Sequence, residues 1–221
     1  MIGQTAARIV MFSGVALVMA AAPPALAGTL SGSAHDFTGS SWSGGRICIA
    51  CHTTHNSNTT VAVAPLWNHK LTTATYVLYS STTMKAIVGQ PGGLSKLCLS
   101  CHDGTVAVDA FGGATGSVMI TSPNNTGAAI SDDHPIGIRY DTALATANGS
   151  LADPSTKQVT IGTAGQSKTG TIAAMMLYGG QLECSSCHDV HNTFVVPSTG
   201  AGGMVKMGTA LSGLCVACHN K

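Results

Sequence analysis

The chain has 221 residues and a formal net charge of +1, with 9% charged and 5% aromatic residues. Its lysines and arginines are scattered, which argues against a nucleic-acid surface, and so small a charge leaves copies of the chain little reason to repel one another. Few aromatic side chains and 27 glycines leave little bulk for a conventional hydrophobic core.

Residues 1–27 read as a secretory leader. Arg8 supplies the positive end, residues 9–22 are almost uninterruptedly apolar, and Ala25-Leu26-Ala27 is an A-x-A cleavage site that leaves Gly28 as the new N-terminus. An uncleaved anchor is the alternative, but the apolar run is short of the roughly 20 residues a span needs. No later segment is apolar and long enough to cross a membrane, so the sequence predicts an exported chain, extracellular, on the cell surface or in a periplasm.

The first histidine beyond the leader is His35, in Ala34-His35-Asp36-Phe37. The first cysteines follow in Cys48-Ile49-Ala50-Cys51-His52-Thr53-Thr54-His55-Asn56. C-x-x-C-H is the attachment site of a c-type haem. The two thiols add across the haem vinyl groups, and the adjacent histidine is held against the iron. The pattern recurs at Cys98 and Cys101 with His102, at Cys184 and Cys187 with His188, and at Cys215 and Cys218 with His219, using all eight cysteines. A single copy is weak, because it also fits half a zinc site or a thiol redox pair. Four copies with no cysteine to spare predict four haem c groups. A zinc or disulfide framework has no need of a histidine after every second cysteine.

The motifs form two pairs. The first member of each reads C-x-x-C-H-x-x-H-N, ending at Asn56 and Asn192. The second follows Leu94-Ser95-Lys96-Leu97 or Leu211-Ser212-Gly213-Leu214. This predicts one tetrahaem domain over 28–221, built as a duplicated two-haem unit (about 28–103 and 132–221). Between the pairs, Pro123-Asn124-Asn125, Asn148-Gly149 and Pro154-Ser155 mark turns, and Gln158-Val159-Thr160-Ile161-Gly162 reads as a hairpin strand. The expected fold is haem-cored and mostly coil, with a few short helices around the motifs and small β-hairpins.

Five histidines remain as second axial ligands: His35, His55, His69, His134 and His191. His55 and His191 follow a motif histidine by three residues, too few to reach the far face of the same haem, so each is expected on a neighbouring one. His134 is held by Pro135 in a loop. His35 and His69 compete for the last position. Met84, Met175, Met176, Met204 and Met207 are expected to fill gaps, and Trp67 and Phe194 to pack on haem faces.

With these motifs, the His-Asp-Phe phrase at 35–37, Pro65-Leu66-Trp67-Asn68-His69 and the His134-Pro135-Ile136-Gly137 loop, the chain resembles the doubled C-x-x-C-H multihaem c-type cytochromes of metal-reducing bacteria. That family includes tetrahaem extracellular nanowire cytochromes. The resemblance implies electron transfer through bis-histidine haems in a homopolymeric filament serving extracellular respiration, with redox proteins or extracellular acceptors as partners. A monomeric periplasmic shuttle is the alternative. A multihaem oxidoreductase is disfavoured, because an enzyme needs an iron with an open face.

Overall fold

The structure, a computed structural model, describes residues 30–163, 165–195, 203–208 and 212–220. The leader expected over 1–27 and Leu211 of the repeated phrase lie outside the described residues. Most of the described chain is turn and coil. The regular elements are β1 (Val77–Leu78), α1 (Gly93–His102), β2 (Ala129–Ile130), β3 (Ile138–Arg139), α2 (Thr142–Asn148), β4 (Gln158–Thr163), β5 (Gln166–Thr171), α3 (Ile172–Met175), β6 (Gln181–Leu182), α4 (Cys184–Cys187) and α5 (Gly213–Cys218). The strands pair two by two: β1 with β2 in parallel, β3 with β6 and β4 with β5 antiparallel. No helix among the described residues is long and apolar enough to cross a membrane.

Three helices carry a haem motif, as expected. The first motif forms a single helical turn, in which His52 N donates to Cys48 O at 2.9 Å. The β4–β5 hairpin extends the expected strand by one residue and pairs it in register from Gln158–Thr171 to Thr163–Gln166. Helices α2 and α3 were not anticipated. Asp141 caps α2 by accepting from Leu144 N, and Gly149 closes it at φ 74°, where a side chain would be strained.

Apolar packing is divided among small clusters. The largest joins Tyr140, Ala145, Val159, Ile172, Met176 and Leu177 in the second half. Others gather around Trp67 and Leu97, around Tyr76 and Leu99, and around Val106 and Ala110. Met176 is a core residue, 1% exposed.

Two segments share one hydrogen-bonded plan. After the first motif, Thr53 N donates to Leu66 O (2.9 Å) and Asn68 N to Cys51 O (2.8 Å). After the third, Asp189 N donates to Met204 O (2.8 Å) and Lys206 N to Cys187 O (2.8 Å). Asn56 and Asn192 both take positive φ, at 59° and 57°, and so do Leu66 and Met204, at 56° and 65°. Asparagine visits that region readily, whereas for Leu and Met it costs ~1–2 kcal/mol. The returning segment imposes the conformation, so the repeat reaches residues that share no sequence likeness.

Candidate haem sites

None of the eight cysteines is paired in a disulfide. Thiols that influence one another come from motifs that follow one another in the chain. Cys98 and Cys101 feel the charge of Cys51. The Cys98 and Cys184 thiols are hydrogen-bonded, and Cys187 feels Cys215. Helices α1 and α4 are locked together. Glu183, 5% exposed, accepts from Ser95 N (3.0 Å) and Ser95 Oγ, and Ser95 Oγ in turn accepts from Cys184 N (2.9 Å). Burial pushes the Cys51 and Cys218 thiols up to about 11 and Cys101 up to about 12. The hydrogen bond with Cys184 and burial raise Cys98, while its partner Cys184, favoured as thiolate by the same bond, is lowered to about 7.

Three of the motif histidines are oriented by backbone carbonyls. Nδ1 of His52 lies 2.8 Å from Pro65 O, Nδ1 of His102 2.8 Å from Asn124 O, and Nδ1 of His188 3.2 Å from Gly203 O. His134 Nδ1 is 3.0 Å from Pro135 O. A carbonyl only accepts, so Nδ1 carries the proton in each ring and Nε2 keeps its lone pair for a metal.

Three motif histidines each have the ring of a histidine from outside the motifs beside them. Ring centroids are 6.2 Å apart for His52 and His191, 6.1 Å for His102 and His35, and 6.4 Å for His219 and His134. Two imidazoles sharing one metal, with metal–nitrogen bonds of about 2.0–2.1 Å and about 1.1 Å from nitrogen to ring centre, need about 6.3 Å. The interplanar angles are 20°, 73° and 73°. Rotation about a metal–nitrogen bond permits any of these values. Burial lowers His35 to about 4, and the charges of His102, His188 and His191 add to this, so the ring is neutral near pH 7. Its Nδ1 lies 3.0 Å from Met204 Sδ.

The residues present therefore fit haem c: paired thiols beside each motif histidine, and imidazoles meeting two at a time. Among the described residues no three His, Cys, Asp or Glu side chains gather as a protein-only metal site. Among the described residues two buried polar side-chain atoms have no partner: Trp67 Nε1, beside the first motif, and Ser185 Oγ, within the third. Trp67 packs edge-on to His52 at 6.2 Å, and Ser185 lies between Cys184 and Cys187.

The other two candidates are placed differently. His55 is exposed in the turn ending at Asn56. His69 is 2% exposed, with Nδ1 2.8 Å from Lys70 O, Nε2 2.9 Å from Ala107 O and Cys101 Sγ 3.4 Å from Nε2. Both its nitrogens lie within hydrogen-bond distance of a backbone carbonyl, and a neutral ring donates to only one of them. Among the methionines, Met204 touches His35, while Met175 and Met207 pack against the largest core cluster. The orienting role of Pro65, Asn124 and Gly203 was not legible in the sequence, because each contributes a backbone carbonyl that leaves no side-chain signature. No protein-family model matches the chain, and no curated protein matches it.

Proposed function

We propose that the chain is a tetrahaem c-type cytochrome that transfers electrons. The observation that carries this reading is the proximity of motif and non-motif histidine rings, three times over, at the spacing one iron requires. The thiol pairs Cys48/Cys51, Cys98/Cys101, Cys184/Cys187 and Cys215/Cys218 would hold the haems covalently. His52 with His191, His102 with His35, and His219 with His134 would fill both axial positions of three irons. His188 and the exposed His55 are left for the fourth, meeting within one chain or between two copies. When bound, the haem supplies a one-electron Fe(III)/Fe(II) couple. Imidazole on both faces leaves no position for a substrate, which favours a carrier over an enzyme. The Nδ1–carbonyl bonds of His52, His102, His134 and His188 fix those rings and raise their basicity as ligands. Motifs that adjoin in chain order favour successive hops.

The test is the oxidised and reduced spectrum of the exported protein. Low-spin iron and no carbon monoxide binding are expected at the three paired sites. High-spin iron throughout, or four carbon monoxide equivalents per chain, would overturn the reading.

The finer proposal is an extracellular homopolymer. A head-to-tail contact that does not close a ring propagates as an open helix, and donation of His55 from one copy to the His188 haem of the next would hold it. Sedimentation and negative-stain imaging should then show filaments that His55→Ala abolishes. A monomer at high concentration with all four haems low-spin would leave the periplasmic shuttle instead.

A further inference from the structure

Lys206 is a buried charge that the candidate sites leave unexplained. It is 4% exposed. Its Nζ donates to Tyr178 Oη at 2.8 Å and stands 5.0 Å from the centre of that ring. Both contacts are to a neutral group. Among the described residues Lys206 forms no ion pair, the one such pair being Arg139–Asp141. An ammonium out of water needs a counter-ion, since a neutral hydroxyl replaces only part of its hydration.

Lys206 faces a cavity of about 260 Å³, which Lys168, Tyr178, Asp189 and Phe194 also line. Asp189, the carboxylate in this wall, is committed to the backbone: Oδ1 accepts from His191 N (3.1 Å), and Oδ2 from Thr193 N (2.9 Å) and Phe194 N (2.8 Å). Two lysines and a phenol around one cavity suit a carboxylate. Tyr178, already accepting from Lys206, keeps its own proton to donate. The cavity also adjoins a haem motif, because Lys206 N donates to Cys187 O at 2.8 Å.

We propose that Lys206, supported by Tyr178, binds a haem propionate and thereby raises the potential of that haem. The assignment rests on the tetrahaem reading and adds a residue that tunes it. A haem c carries two carboxylates, and an ion pair neutralises negative charge that otherwise favours Fe(III). Lys206 acts on the potential through charge alone and leaves the axial ligands untouched.

The experiment is a spectroelectrochemical titration of the four-haem protein in chloride buffer, comparing wild type, Lys206→Met and Lys206→Arg. One of four potentials should fall in Lys206→Met and recover in Lys206→Arg, with low-spin spectra unchanged throughout. Lys206→Gln replaces the Met variant if that one fails to fold. Four unchanged potentials overturn the proposal while leaving the cytochrome reading intact, whereas a wild-type protein without haem sinks that reading first. A free carboxylate is the other source of the same chemistry. If the wild-type potential depends on added acetate, and Lys206→Met abolishes the dependence, the site takes a free ligand and the haem assignment is wrong.

Discussion

Replacing His191 by alanine tests the crossed ligation most sharply. His191 lies three residues after His188, yet its ring stands 6.2 Å from that of His52, in the other half of the chain. Each ring centre in such a pair is about 3.1 Å from a shared metal, so truncation to a methyl opens one axial position without touching the other ligand. Of the histidines outside the three pairs, His69 is enclosed between Lys70 O and Ala107 O, and His55 is exposed in a turn. One haem of four should therefore turn high-spin, removing roughly a quarter of the low-spin intensity, and the reduced variant should bind one more carbon monoxide per chain than wild type. Proton NMR should place the altered haem at Cys48 and Cys51. Added imidazole should restore the low-spin signal. An altered haem at Cys184 and Cys187, or no gain in carbon monoxide binding, would refute the pairing.

His69→Ala should leave all axial ligation unchanged while lowering stability by about 2–3 kcal/mol, because buried carbonyls lose their partner; a new high-spin haem would contradict this. Glu183→Ala unlinks α1 from α4 by stranding Ser95 N and its hydroxyl, and should cost about 3 kcal/mol in denaturant unfolding. Gly162, at φ 86°, has no room for a Cβ, which would overlap Gln166 O, so Gly162→Ala should unpair the β4–β5 hairpin and cost at least about 1–2 kcal/mol. Asp141 is lowered by the Leu144 N–H, burial opposing weakly and Arg139 assisting. Its folded pKa lies below the unfolded one. Its contribution is thus complete above about pH 4 and is lost as pH falls through the lowered value. The stability gap between wild type and Asp141→Asn should close over that acid range and stay constant above it.

The four C-x-x-C-H motifs stood out in the sequence because covalent haem attachment would need fixed residue types at fixed spacing. The His191 expectation came from a reach argument, too few residues to round its own haem, and the structure sets that ring against His52. The Gln158 strand was legible from its alternation, and Asn148-Gly149 from the need for a positive φ at Gly149. Helix α2 also had a signal, Asp141 at one end and Gly149 at the other, outweighed by the coil-like composition of its surroundings. The competition between His35 and His69 was not legible. Their surroundings are set by tertiary packing, which brings one ring beside His102 and encloses the other between two carbonyls. Leu66 and Met204 hid half of the repeat, since their shared left-handed backbone is imposed by the returning segment and contradicts both residues' own preferences.

The central claim is covalent haem at all four motifs, and the intact mass of the exported protein under denaturing conditions tests it most directly. The account predicts the mature chain plus four haems, with no thiol left to alkylate. A mass without haem, with the cysteines recovered as free thiols, disulfides or zinc ligands, would contradict it.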